Sequence, residues 1–430
     1  MNAAEILQRL LRFDTTNPPG NERECVEWVA SLLEERGIEH SLFGARAERP
    51  NLVGRVHGAG DRAPLILQGH VDVVTTAGQT WQQPPFAGVA AEGFIWGRGA
   101  LDMKNGVAMM LAAFLRAHEE RERLPGDLIL CVLADEEAGG VEGAAWLVEN
   151  HPDLFAGVRY TIGEGGGYSF DIGGRRFYPV MVGEKRGCQL QLTFRGPGGH
   201  GSIPSRGNAM ARLGAALTAL DGSRLPAHVT PIVDRMLKEV AAALDGNLAG
   251  LFTRMRDEGR ADEALDVMGP QGRSLDAILH NTVNATIVAG GLKVNVIPSE
   301  VTLQLDGRLL PGFGPEDMLR EVREVIGGDV EIEVTRLGPA QGEADFSRYD
   351  VLSEILREMD PEGVPVPYLL SGGTDGRHFA PLGISTYGFL PVRLPSGFDW
   401  TATIHAADER IPAAALEPGS EAIFQALLRM

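Results

Sequence analysis

Apolar residues recur at helical spacing from Ala3 to Phe13, where Ile6, Leu7, Leu10 and Leu11 share a face, and a second helix is predicted over Glu22 to Arg36. The segment TTNPPGNE between them is a breaker loop. Asn51 to His57 and Pro64 to Gln68 then read as strands. The second, PLILQ, is apolar on both faces, as a strand inside a parallel sheet must be. A helix from Met103 to Glu120 follows FIWGRGALD. It is succeeded by an uninterrupted apolar strand from Leu128 to Ala134, a short helix near Gly143 to Glu149 and a strand at Arg159 to Ile162. Strands and helices in alternation, with strands apolar on both sides, predict an α/β layer with a mostly parallel sheet.

The pattern changes near Lys185. QLQLTFR (Gln189 to Arg195) alternates as a half-exposed strand does, a helix follows at Asn208 to Leu220, and Thr282 to Ala289 and Ser299 to Arg308 again look one-sided. The polar helical stretch from about Pro231 to Val267 gives no predictable arrangement. After Pro311 the α/β pattern resumes: helix Pro315 to Ile326, strand Val330 to Thr335, helix Asp350 to Met359, strand Ile384 to Leu390 and a last helix near Pro412 to Leu428. The expected division is residues 1–185 and 311–430 as one α/β domain, with residues 186–310 as an inserted α+β domain. Gly and Pro are spread through turns, and there are no repeats or low-complexity tracts.

With 430 residues, 44% of them hydrophobic, the chain can bury a large core in two or three domains. The balance of 39 basic against 58 acidic residues gives a net charge of −19. Such a surface repels a phosphate backbone and an anionic membrane, so neither nucleic acid nor membrane is expected as a partner. The longest apolar run, around Gly106 to Leu115, is too short to span a bilayer. MNAAEILQRLLRF has neither a basic start nor a signal-type cleavage site, which predicts a cytoplasmic protein. Cys25, Cys131 and Cys188 form no CxxC pair, so any metal must be held by His, Asp and Glu.

Those residue types gather where strands are predicted to end. In LILQGHVDVV, His70 follows an apolar strand, and Asp72, two positions on, projects to the same side. A metal-bound histidine needs such a carboxylate to fix its tautomer; a surface turn with an incidental histidine would look the same. Asp102 in GRGALDMKNG is either a helix N-cap or a metal carboxylate at a strand end. Asp135, Glu136 and Glu137 close the uncharged strand of VLADEEAGG, where three adjacent carboxylates are costly unless a cation offsets them. Glu164 in TIGEGGGY again lies just past an apolar strand. In a parallel sheet these ends share one edge, where α/β proteins bind ligands. A second histidine is needed: His405 in WTATIHAADERIP is preferred to His378 in SGGTDGRHF, which lies on an incipient helix. Mixed nitrogen and oxygen donors without thiolate suit two divalent ions of zinc type. RGPGGHGSIPS has the form of a dinucleotide fingerprint at Gly196, Gly198 and Gly201. It lacks the context: no apolar strand precedes Asp221, and Pro197 and Pro204 crowd the turn.

In order, GHVDVV, GRGALDMKNG, ADEEAGG, GEGG, GPGGHGSIP, GGLKVNVIP with DGRLLPG, SGGTDGRHF and IHAADERI resemble the aminoacylase, carboxypeptidase G, acetylornithine deacetylase and succinyl-diaminopimelate desuccinylase family of co-catalytic zinc hydrolases. The motifs run from His70 to His405. The resemblance implies an α/β zinc-hydrolase catalytic domain with an inserted lid, about Arg186 to Leu310, through which two chains pair as a homodimer. It implies two metal ions per chain, zinc in the first place, with cobalt or manganese as alternatives. Asp102 would bridge them, His70 and Glu164 would complete one site, and Glu137 and His405 the other. Glu136 would be the general base toward a water between the ions, and Asp72 the partner of His70. His200 would reach the other subunit's site and stabilise the oxyanion. Asn295 and Arg308 would hold a substrate carboxylate, and Ser371, Gly372, Gly373 and Thr374 would line the pocket. A cis peptide is implied at Asp102–Met103.

The expected activity is hydrolysis of an amide bond next to a free carboxylate, on a small peptide (carboxypeptidase or dipeptidase type) or on an N-acyl amino acid. TTNPPGNE and SGGTDGRHF lean toward the peptidase branch. A non-catalytic metal-binding protein is the rival from another class, but none of the positions it would have lost is lost here. The long stretch between Leu220 and Asn281 departs from compact family lids.

Overall fold

The computed structural model describes residues 1–340 and 342–430, and divides into two compact units. The first comprises residues 1–183, 344–368 and 374–430; the second comprises residues 184–343 and 369–373.

The first unit is built on a nine-stranded mixed sheet. Its order is Glu39–Phe43, Asn51–Val56, Gly126–Leu133, Arg62–His70, Tyr160–Gly163, Ser385–Gly388, Arg175–Glu184 and Val364–Leu370, with Phe170–Ile172 paired to Arg175–Glu184. Gly126–Leu133, Arg62–His70, Tyr160–Gly163 and Ser385–Gly388 run parallel at its centre. Gly126–Leu133 and Arg62–His70 carry the runs that are apolar on both faces, LILCVL and PLIL, and both faces are covered. Helix Lys104–Glu119 is buried along most of its length and packs with the helices Ala3–Leu10 and Leu416–Arg429. On the other side Ile66, Ile129, Cys131 and Leu133 meet Ala144, Leu147, Phe155 and Phe379. Because parallel neighbours end together, His70, Leu133 and Gly163 close three adjacent strands on one edge. The loops that carry Asp72, Glu136, Glu137 and Glu164 leave from that edge.

The second unit is an antiparallel sheet in the order Thr282–Gly290, Glu300–Leu309, Arg186–Arg195, Glu331–Leu337. Burial alternates along Glu300–Leu309, and the inward residues Val301, Leu303 and Leu305 pack with Leu213 and Ala216 of helix Ala209–Asp221 and with Met318 and Val322 of helix Pro315–Ile326. The inserted unit therefore runs to Glu343, not to Leu310 as expected. The misplaced helix and strand are Pro315–Ile326 and Glu331–Leu337. Their amphipathic patterns suit either domain, and antiparallel pairing of Glu331–Leu337 to Arg186–Arg195 assigns them to the lid.

The stretch without a predictable arrangement forms three helices, Pro231–Ala243, Gly246–Arg254 and Glu258–Met268, and a fourth, Arg273–Leu279, follows it. Polar anchors tie its ends to the rest of the unit. Arg224 pairs with Asp276 (2.9 Å) and Asp266 (2.8 Å), and Glu321 meets His228 and Asn281, each at 2.9 Å.

Candidate metal centre

Each candidate ligand is placed by a short piece of backbone with its own fastening. His70 is the last residue of its strand and is 1% exposed. Its Nδ1 lies 3.0 Å from the Asp72 carbonyl and 3.4 Å from the Asp72 carboxylate. Asp72 thus faces the ring as expected, with its main chain closer than its side chain. The Asp72 carboxylate has a further task that the sequence does not reveal: Oδ1 accepts the Glu136 N–H and Oδ2 the Glu137 N–H, both at 3.1 Å. Asp102 sits in the turn before helix Lys104–Glu119, and its peptide bond to Met103 is cis. That turn is held by Glu409, which accepts the N–H groups of Leu101 (2.7 Å) and Asp102 (3.1 Å) and forms a buried pair with Arg98. His405 takes a left-handed backbone, φ 60°, in the loop after Trp400.

The side chains converge on Asp102. One of its oxygens lies 3.2 Å from His70 Nε2 and the other 3.1 Å from His405 Nε2. Glu164 lies 3.8 Å from His70, and Glu137 lies 3.3 Å from His405. Two groups of donors result, each with ligand atoms within 4.8 Å of one another: His70, Glu136 and Glu164, and Asp102, Glu137 and His405.

Electrostatics follow from packing acids into a buried edge. Burial opposes a charge on His70, but Asp102, Asp72 and Glu164 outweigh it and hold its pKa well above the imidazole range. Asp102, followed by Glu137, raises His405 to about 10. Burial pushes Glu136 well above the carboxylate range, with Glu164 adding to the effect; Glu164 is itself raised by burial. Asp102 is held low by the two imidazoles against its burial. Glu137 Oε1 is buried without a hydrogen-bond partner among the described residues. An orphaned oxygen, shared access to both oxygens of Asp102 and a donor set free of thiolate all fit divalent cations.

Further polar side chains border the centre. Arg377 Nη1 lies 3.4 Å from Glu136 Oε1, next to His378, whose Nε2 faces the Gly139 carbonyl at 3.1 Å. His378 belongs to neither donor group. Asp375 is 1% exposed, its carboxylate has no hydrogen-bond partner among the described residues, and its pKa is raised by burial to about 7. Their motif, SGGTDGRHF, was visible, but nothing local distinguishes an arginine aimed at a glutamate from one in water.

The remaining candidates lie in or beside the second unit. His200 is exposed and bonds Ser202 at 2.8 Å; it pairs with Val296, and Gly201 N–H bonds Asn295 O at 2.8 Å, so His200 and Asn295 are neighbours. Arg308 is far from them. It pairs with Asp306 (3.0 Å) and stands opposite Gly187 and Thr282, whereas His200 lies in a separate two-stranded ladder with Val296, reached past the Arg195–Glu300 end of the strands that carry Arg308. Eight residues of strand amount to about 27 Å. Ser371, Gly372 and Gly373 cluster with this unit, while Thr374, whose Oγ1 accepts the Gly376 N–H at 3.0 Å, belongs to the first.

The profile of Peptidase family M20/M25/M40 matches residues 66–429, from the strand that carries His70 to the final helix. The chain belongs to this family. It is therefore an enzyme of a metal-dependent hydrolase family with a catalytic and a lid domain. Among its relatives, the N-fatty-acyl-amino acid synthase/hydrolase PM20D1 of Xenopus tropicalis is 29% identical over 96% of this chain and 83% of its own length. A probable carboxypeptidase S-like 2 of Dictyostelium discoideum is 26% identical over 81% of this chain and 68% of its own. An M20-family metallo-carboxypeptidase from Sulfolobus solfataricus shares the fold, with a TM-score of 0.68 at 17% identity, over 100% of this chain and 99% of that one. Among the described residues no helix is long and apolar enough to cross a membrane.

Proposed function

We propose that the chain is a two-ion amidohydrolase that cleaves an amide bond beside a free carboxylate. The observation that carries this reading is that the two oxygens of Asp102 face two different imidazoles, His70 at 3.2 Å and His405 at 3.1 Å. His70 and Glu164 would hold one divalent ion and Glu137 and His405 the other, with Asp102 common to both. Zinc suits the donors best, and cobalt or manganese are the alternatives. When bound, such ions polarise a carbonyl and acidify water. Glu136 is left to handle protons: its buried carboxylate, 3.4 Å from Arg377, takes one from the attacking water and returns it to the leaving nitrogen. His200 stabilises the oxyanion. Asn295 and Arg308 hold the substrate carboxylate, and the Ser371–Thr374 loop lines the pocket. Peptide hydrolysis of carboxypeptidase or dipeptidase type is the first reading. Hydrolysis of N-acyl amino acids is the second, favoured by the relative named for N-fatty-acyl amino acids.

The test uses chelator-stripped protein reconstituted with zinc and offered dipeptides, N-acyl amino acids and the C-terminal amide of each. We expect amino acid release from free acids, at least about 100-fold less from amides, and none without metal. Hydrolysis that ignores the carboxylate would contradict the reading.

We propose further that the chain works as a homodimer through the lid. Thr282–Gly290 is an edge strand exposed from Asn284 onward, with Ile287 and Val288 each 53% exposed, and beyond it Leu292 and Val294 are fully exposed. An unprotected apolar edge is a template for a second copy. A twofold axis there would also explain why His200 and Asn295 lie so far from Arg308: each end of the lid would serve a different site. Val288→Asp should halve the mass measured by light scattering and lower activity together. Subunit exchange of inactive Glu136→Gln with inactive His200→Ala should restore about a quarter of wild-type activity, because half the dimers are mixed and each has one intact site. Recovery of nothing would mean that His200 does not act across chains.

A further inference from the structure

The breaker loop TTNPPGNE has a place in the first unit that the proposed chemistry does not use. Thr15 Oγ1 donates to the Val71 carbonyl at 2.5 Å, Val73 N–H to Thr15 O at 3.1 Å, and Asn17 N–H to Val73 O at 2.9 Å. The loop is thus laid alongside the residues that follow His70, with Thr16 bridged in parallel to Val73. This fastening delivers the Asn17 side chain, 6% exposed, between two carboxylates. Its Nδ2 lies 2.8 Å from Asp72 Oδ2 and 3.1 Å from Asp135 Oδ1.

Both carboxylates govern the turn that presents Glu136 and Glu137. Asp72 accepts the two N–H groups of that turn. Asp135 begins it in a left-handed conformation, φ 71°, uncommon without glycine, and is fixed there by Arg49 (2.8 Å) and by the Glu142 N–H (3.0 Å). Arg49 is divided, since it also forks onto buried Glu22. Two buried anions near one point repel, and a primary amide has two hydrogens to give, one for each. A hydroxyl has one, and a methyl or a carboxylate has none.

We propose that Asn17 is a positioning residue of the hydrolytic centre: its amide clamps Asp72 to Asp135 and so fixes the directions of Glu136 and Glu137. The inference rests on the two-ion hydrolase reading. It predicts an order of variants that packing would not give. Asn17→Asp keeps the volume and removes the donor; Asn17→Ala removes both.

Zinc affinity, measured by competition with a chromophoric chelator on the purified full chain, and kcat and KM on a substrate of the wild type are the readouts. Asn17→Asp should weaken zinc binding by about 10- to 100-fold. It should lower kcat at least about tenfold with KM within about threefold, and be no milder than Asn17→Ala. Asn17→Asp that is milder than Asn17→Ala in both readouts, as packing requires, would overturn the proposal. Should Asn17→Asp not fold, Asn17→Ser and Asn17→Ala decide: equal zinc affinity and kcat in these similar-sized variants would overturn it, and better values for serine support it. A wild type that binds zinc and hydrolyses amides beside an indifferent Asn17 would refute this assignment alone. A wild type that does neither would sink the hydrolase reading with it.

Discussion

Glu136→Gln should lower kcat by at least about 100-fold while the protein keeps its metal and its fold. The substitution preserves size and the ability to accept a hydrogen bond, and removes the capacity to take a proton. Glu136 is suited to that task by its surroundings. Its backbone is pinned by Asp72, its carboxylate faces Arg377, and burial raises its affinity for a proton. The neighbouring Glu137 leans on His405 instead. Adjacent residues thus face different partners, Glu137 beside His405 and Glu136 beside Arg377. KM should stay within about threefold, because the lost interaction belongs to the transition state. A variant with near-wild-type turnover would mean that another carboxylate is the base, and Glu164, raised by the same burial, would be the next to substitute.

Asp102→Ala should abolish activity and remove bound metal from both sites at once. Each of its oxygens faces a different imidazole, at 3.2 and 3.1 Å. His70→Ala and His405→Ala, by contrast, should each weaken one site more than the other. Metal content measured on the three purified variants checks this pattern. Asp102→Ala with undiminished metal would contradict the shared role. A merely structural N-cap role is disfavoured because the helix begins at Lys104 and no side-chain cap bond is made to it.

The sequence made the inner part of this arrangement legible for a definite reason. PLILQ and LILCVL are apolar on both faces, which happens only in a covered parallel strand, and a charged residue directly after such a strand has no packing reason to be there. His70, Glu136, Glu137 and Glu164 could be found in this way. His405 could not; its loop has no regular structure, and its placement depends on contacts distant in sequence, such as Gln82 with Asp408 and Arg98 with Glu409. Arg377 and the second role of Asp72 were likewise invisible, since both depend on which loop folds over which.

The same logic explains errors in the fold. Val364–Leu370 reads VPVPYLL, and two prolines argue against a strand, yet it lies at the edge of the large sheet, where a missing N–H costs little. Glu39–Phe43, at the opposite edge, is too exposed to show a pattern. The lid boundary was drawn too early because strand Glu331–Leu337 alternates like any half-covered strand; only its pairing with Arg186–Arg195 shows which domain it completes.

The central claim is that one carboxylate, Asp102, organises two metal ions. It is tested most directly by crystals of the zinc-reconstituted protein measured on both sides of the zinc absorption edge. The account predicts two anomalous peaks per chain, about 3.5–4 Å apart and flanking the Asp102 carboxylate. One peak should be next to His70 and Glu164 and the other next to Glu137 and His405. A single peak, or peaks that Asp102 does not touch, would contradict it.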